Sequence, residues 1–285
     1  MTAAYYDAHN HLQDEALAPH LNRVAGELSS LGLRAAVVNG TCEDDWAGVS
    51  ELSRRFSWIV PSFGLHPWDA GNRSPDWLEK LRAQLDAHPA AGVGEIGLDR
   101  WILDRARPDD PRLAGLRRAP LPEQAEVFSA QLSLATELNR PTTIHCLDAF
   151  GALHDLLRTA KRPARGFLLH AYNGPAEMVP GFAELGAYFS FNGAFLDDHK
   201  SRHRETFRLI PPDRLLVETD APAMPVPQPW RTHKLPPAPV GETINHPGNI
   251  EAAYAGLATF LGQPLDALAA QIERNFLRLF DPATP

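Results

Sequence analysis

Tyr5-Tyr6-Asp7-Ala8-His9-Asn10-His11 carries a short apolar run into a pair of imidazoles. In an extended strand, residues two apart point to the same side, so His9 and His11 face one way. Four further segments repeat the pattern of a short run ending in metal-ligating side chains. They are Gly94-Glu95-Ile96-Gly97-Leu98-Asp99, Thr143-Ile144-His145, Leu168-Leu169-His170 and Val217-Glu218-Thr219-Asp220. Side chains so far apart in sequence converge when parallel strands all end on one face, as in a closed barrel.

Working outward from that first run, strands are expected near 5–9, 34–40, 58–64, 91–97, 142–145, 166–170, 187–191 and 215–218. Most are continuously apolar, the pattern of strands buried on both faces. Between them, apolar residues recur every three or four positions over 17–31, 43–56, 77–87, 122–139, 149–161, 176–185 and 198–210. An eighth helix is expected over 250–261 and a helical tail over 264–279. Pro122 suits the first turn of its helix. Eight strands alternating with eight helices predict an α/β chain, a (β/α)8 TIM barrel, as a single domain over 1–285. An open doubly wound sheet is disfavoured, because no Gly-rich turn follows the first strand and polar residues recur at the strand ends.

With 285 residues the chain can bury a large core. Its formal net charge of −8 offers no global basic surface for nucleic acid or anionic membrane, so any phosphate-binding region is local. Two cysteines, Cys42 and Cys146, make no disulfide framework. The first residues show no basic stretch followed by an apolar core, and no apolar run approaches the ~20 residues of a membrane helix. A cytoplasmic protein with no membrane association and no obligate protein partner is expected.

His9, His11, Glu95, His145, His170 and Asp220 together offer four imidazoles and two carboxylates, a set for one or two divalent ions. A carboxylate such as Glu95 can bridge two cations ~3.5–4 Å apart. The mixed donor set admits Zn, Mg or Mn. Asp220 is positioned to take a proton from a metal-activated water, and Glu218, two residues earlier, to hydrogen-bond a ligand. His66 is expected near substrate, donating to a leaving oxygen. His20, His88, His154, His199 and His203 carry no ligand pattern; His199 is followed by Lys200, not the glutamate of the zinc-protease helix. Cys146 is expected to face away from the mouth into the core.

Two long loops flank the predicted mouth. Residues 100–119 hold six arginines against Asp104, Asp109 and Asp110. If this loop lies over the site it draws anions; otherwise it is a solvated loop of internal ion pairs. Residues 221–246 hold seven prolines between Pro222 and Pro239, which points to an ordered cover. Trp68, Trp101 and Trp230 fall in loops on this face and can stack on bases or plug the packing.

The segments together resemble the TatD-type metal-dependent hydrolase family, a branch of the amidohydrolase-like barrels. The matching motifs run from Asp7-Ala8-His9-Asn10-His11 through Gly64-Leu65-His66-Pro67 and the four segments above to Asn275-Phe276-Leu277-Arg278-Leu279-Phe280. The resemblance implies a barrel with a divalent-metal centre on the six residues named, and phosphodiester hydrolysis of DNA. Three departures stand out. Leu147 occupies the place of a usual arginine, His170-Ala171-Tyr172-Asn173-Gly174 replaces His-Cys-Phe-Ser-Gly, and Ile244-Asn245-His246-Pro247 replaces Arg-Asn-Glu-Pro. Two phosphate-clamping arginines are therefore absent. The expected function is a divalent-metal-dependent phosphodiesterase, a deoxyribonuclease with a nucleic acid substrate. An amidohydrolase-like deacylase or lactonase is the alternative. Such enzymes often bridge their metals with a modified lysine, and none of Lys80, Lys161, Lys200 or Lys234 ends a predicted strand. A non-catalytic scaffold is the third reading, and its signature, a lost ligand, is missing.

Overall fold

The computed structural model describes residues 4–237 and 243–281. Pro239 and both ends of the predicted 1–285 domain lie outside the described residues. Eight strands form one sheet in sequence order: β1 (Tyr5–Asn10), β2 (Leu33–Asn39), β3 (Ile59–Phe63), β4 (Gly92–Asp99), β5 (Thr142–Leu147), β6 (Phe167–Leu169), β7 (Ala187–Asn192) and β8 (Leu215–Glu218). Each pairs in parallel with the next. The ring closes at its mouth, where Asp220 N–H donates to His9 O at 2.9 Å and His11 N–H to Ala221 O at 2.8 Å. The eight-stranded parallel barrel is the expected one, and all strand C-termini share one rim.

The strands run apolar because both faces are covered. Phe63, Phe167, Phe189 and Phe191 are fully buried between the sheet and the helices around it. Burying one such ring contributes about 1.5–3 kcal/mol. The helices are α1 (Leu21–Leu31), α2 (Trp46–Arg55), α3 (Trp77–Ala87), α4 (Trp101–Asp104), α5 (Leu121–Glu137), α6 (Phe150–Thr159), α7 (Val179–Glu184), α8 (Ser201–Thr206), α9 (Ile250–Leu261) and α10 (Leu265–Phe280). No helix among the described residues is long and apolar enough to cross a membrane.

Two helical expectations need correction. The helix predicted over 198–210 is only a 3-10 turn (Asp198–Lys200) followed by the six-residue α8. Beyond Thr206 the chain closes in tighter turns, with Phe207 N–H bonded to Arg204 O at 2.9 Å and Leu209 N–H to Thr206 O at 3.0 Å. The predicted loop 100–119 instead contains α4 and a 3-10 turn, Pro111–Leu113. Asp99 Oδ1 accepts the Ile102 N–H at 3.1 Å, which ties the start of α4 to the end of β4.

Two glycines let β4 sit where the site requires it. A Cβ on Gly97 (φ 155°) would lie 1.9 Å from His145 O, so only glycine permits β4 and β5 to approach there. A Cβ on Gly64, just after β3, would lie 2.7 Å from the Gly94 carbonyl carbon.

Candidate metal centre and active site

The six predicted ligands meet at the barrel mouth. Glu95 stands between two sets of donors, one on each of its oxygens. Oε2 lies 3.4 Å from His9 Nε2 and 3.3 Å from His11 Nε2. Asp220 Oδ1 completes that lobe, 3.4 Å from each of the same nitrogens. Oε1 lies 3.0 Å from His145 Nδ1 and 2.8 Å from His170 Nε2. These two nitrogens are themselves 3.2 Å apart.

Such spacings suit coordination. Ligands at ~2.0–2.1 Å around a tetrahedral cation lie roughly 3.3–3.4 Å from one another. Two ring nitrogens 3.1 Å apart, as in His9 and His11, otherwise leave one lone pair facing another unless a proton or a cation stands between them. The donor set therefore fits divalent-metal binding.

The orientation of each ring follows from what its other nitrogen touches. His11 Nδ1 lies 2.8 Å from Asn39 O and must donate, which leaves the Nε2 lone pair facing inward. His145 Nε2 lies 3.2 Å from Asp99 Oδ2 and donates to that carboxylate, leaving Nδ1 for the centre. His9 differs: Asn39 Nδ2 lies 3.0 Å from His9 Nδ1, and only a turned amide, presenting the otherwise unpartnered Asn39 oxygen, would leave His9 Nε2 free to ligate. Glu218 Oε1 lies 3.7 Å from His170 Nδ1 and is held by Ser190 and by Asn192 Nδ2. Glu218 thus stands beside a candidate ligand, as its spacing suggested. Sequence reading quoted Asp99 without giving it this role and missed Asn39, Ser190 and Asn192. Their signal was position alone, since each lies on a strand next to one that carries a ligand.

Asp220 occupies the left-handed region (φ 53°), uncommon for a non-glycine residue. Its backbone is held by the closing bond to His9 O. Beneath it, Thr219 N–H and Oγ1 both donate to Asp7. Asp7 also accepts the His9 N–H at 3.2 Å, so one buried carboxylate joins the ends of β1 and β8.

Burial and mutual charge set the protonation of the centre. Burial alone disfavours charge on these groups. For Glu95 it is outweighed by His170, His66 and His9, which hold the carboxyl well below its usual range. Burial likewise works against a proton on His145, yet Asp99 and Glu95 raise the ring to about 9. The rings of His11 and His170 are raised for the same kind of reason. The pocket is thus built to hold positive charge.

His66 differs from the other rings. Its Nδ1 accepts the Trp68 N–H at 3.2 Å, so in the neutral ring Nε2 carries the proton, 3.5 Å from Glu95 Oε1. Burial lowers its pKa. That makes it a neutral donor at the rim, where a ligand would need a free lone pair.

The centre opens into a cavity of about 430 Å³, walled in part by Thr41, Trp68, Asp69, Asn173 and Met224. Met224 brings the segment after β8 over the site, as expected of the proline-rich cover. Cys146 is buried in the core, though it also borders this cavity. Trp68 and Trp101 stack with centroids 6.1 Å apart, and the Arg112 guanidinium lies 4.8 Å from the Trp101 ring. Trp230 is partly buried against the core. The arginine-rich loop proves to be charge-compensated. Arg100 pairs with Asp104, Arg105 with Asp148, Arg107 with Asp109, Arg112 with Asp110 and Arg117 with Glu123. Arg118 donates to three backbone carbonyls.

A second group of histidines lies outside the mouth. His246 Nε2 is 2.9 Å from Glu27 Oε2 on α1, and His233 stacks on His246 at 5.2 Å. Here the ring is set the other way: His246 Nδ1 accepts the Gly248 N–H at 2.9 Å, so the proton of the neutral ring is on Nε2. It faces Glu27 with a hydrogen, so we read the group as a polar contact and not as a ligand set.

A sequence profile described as TatD related DNase matches residues 6–281. The chain is 27% identical over 277 residues to the uncharacterized metal-dependent hydrolase YabD of Bacillus subtilis, covering 96% of this chain and 98% of that one. It is 27% identical over 260 residues to the 3'-5' ssDNA/RNA exonuclease TatD of Klebsiella pneumoniae, covering 91% of each. The crystal structure of YJJV, a TatD homolog from Escherichia coli K12, superposes with a TM-score of 0.83 at 25% identity over 99% of both chains.

Proposed function

The chain belongs to the TatD related DNase family, and from that premise we propose that it is a divalent-metal-dependent phosphodiesterase that trims single-stranded DNA or RNA. One observation carries the reading: Glu95 presents separate oxygens to two donor sets, His9, His11 and Asp220 on one side and His145 and His170 on the other. Those residues would hold two ions, and a donor set rich in imidazole favours zinc or manganese over magnesium. Bound there, the ions supply Lewis-acid polarisation of a phosphoryl oxygen and an acidified water. Asp220 accepts the proton released as the phosphodiester is attacked. His66 donates its Nε2 proton to the leaving oxygen, a role open to it because Trp68 fixes the tautomer. Asp99 holds the ring of His145 in ligating orientation, and the Glu218 carboxylate lies 3.7 Å behind the ring of His170. The rim pair Trp68 and Trp101 offers a face for a base. The substrate class follows the relatives described as single-strand exonucleases. The two free cysteines suit a reducing cytoplasm.

The test is incubation with 5'-labelled single-stranded DNA, single-stranded RNA and duplex DNA, each with zinc, manganese or magnesium, beside a panel of small esters and lactones. Progressive 3'-end shortening of the single strands is expected, absent from a folded Asp220→Ala variant. Wild type cutting no better than that variant would overturn the nuclease reading, and turnover of esters alone would redirect it to carbon-centred substrates.

A further inference from the structure

A larger groove of about 710 Å³ adjoins the metal centre between the segments that follow β5, β6 and β7. Asn173 lines both spaces, and Leu147 of the central cavity is followed directly by Asp148 of the groove. A chain longer than the central cavity has this way out.

The charges along the groove are unequal in their compensation. Asp148 is 3.2 Å from Arg105, and Glu205 is 3.0 Å from Arg208. The Arg208 guanidinium also lies 4.0 Å from the Phe260 ring centroid. Arg202, on α8, is exposed and forms neither an ion pair nor a side-chain hydrogen bond among the described residues. Beside it, His203 stacks on Phe195 at 5.6 Å with its buried Nδ1 unpartnered. In a chain of net charge −8, an uncompensated cation in a groove leading from the centre marks a local site for an anion.

We propose that Arg202 binds a backbone phosphate of the polynucleotide beyond the nucleotide being cleaved. The proposal rests on the nuclease reading above. It also explains how the chain manages with Leu147 and Ile244 where the family motifs place arginines, and with its arginine-rich loop already paired. The anionic contact lies on the β7 side of the barrel mouth, away from the β4 loop where sequence reading looked for it.

The experiment is KM for 3'-end trimming of single-stranded DNA from two to eight nucleotides, measured across a KCl series. For wild type on the octamer, log KM rises with log salt. Arg202→Ala is expected to raise the octamer KM roughly three- to tenfold and to lower that salt slope by about 0.7, the contribution of one phosphate on a single strand. The KM penalty should grow from dinucleotide to octanucleotide, and Arg202→Lys should restore most of the slope. Arg107→Ala removes a cation from the paired loop and serves as the charge control. If Arg202→Ala keeps the wild-type slope, or if Arg107→Ala lowers it equally, the groove site is overturned while the nuclease reading stands. If wild type trims no oligonucleotide at all, the functional reading fails and takes this proposal with it.

Discussion

Two groups of histidines and carboxylates in this chain use the same side chains to different ends. At the barrel mouth, His11 and His145 each give a proton outward, to Asn39 O and to Asp99, so that a lone pair faces inward. Against α1, His246 accepts a hydrogen bond from Gly248 N–H on its outer nitrogen and faces Glu27 with the other. Donor spacing alone does not separate them, since both place candidate ligand atoms within 4.8 Å of one another. What separates them is the partner on the far side of each ring. An acceptor behind an imidazole prepares it for a cation, and a donor behind it prepares it for an anion.

The largest effect expected from this contrast is at Glu95. Glu95→Gln keeps the shape but removes the charge that both lobes share. Returning the attacking water's pKa from about 7 toward 15.7 predicts a loss of roughly 10⁴-fold or more in activity. Elemental analysis after metal loading should show both ions depleted, whereas His246→Asn should leave the metal content unchanged. A wild-type metal content in Glu95→Gln would break the bridging role, and a lost equivalent in His246→Asn would break the distinction between the two groups.

His66 sharpens the same contrast inside the mouth, because its far nitrogen accepts from Trp68 N–H although it sits within 3.5 Å of Glu95. By the tautomer rule it fits the role proposed for it, a donor to substrate. His66→Gln should therefore cut kcat by about 10²–10⁴-fold, the usual worth of a proton donor, with metal content intact. Loss of an ion in that variant would make His66 a ligand and defeat the rule. Asp99→Asn should have a smaller effect, about 10–100-fold in metal affinity or activity, because it disturbs His145 without removing a ligand. The loss should fall on the lobe of His145 and His170 alone, resolved by titrating metal against activity and content together.

The residues that gather at the mouth were legible in the sequence because a parallel strand ends where its chemistry sits, so His145 or Asp220 announces itself as a polar residue closing an apolar run. The barrel was legible for a related reason, since strands buried on both faces read as uninterrupted apolar stretches. The groups behind the ligands were not. Asn39 and Ser190 look like ordinary polar strand residues until register places them beside His9 and Glu218. The arginine-rich loop showed its charges but not its pairing, which depends on turns such as Asp110 folding back on Arg112. The short α8 was hidden as well, since apolar periodicity over 198–210 continues past Thr206, where the helix gives way to turns.

The smallest effect belongs to the outer group. Burial lowers the His246 ring to about 4, with His233 and Arg23 acting in the same direction and Glu27 against it. The unfolded ring titrates near 6.5, so between pH 6.5 and 4 the unfolded chain binds a proton that the folded one refuses. Stability is therefore full above that window and is lost as pH falls through it. Asparagine at this position can still accept the Gly248 N–H and keep the cap on the 3-10 turn before α9, but it does not titrate. Thermal melts from pH 7.5 to 4 should show wild type losing more stability across the window than His246→Asn, with the two curves parallel above it. If instead the wild-type ring gains stability on acidification, its proton is being welcomed by Glu27, and the outer group is an ion pair held against burial.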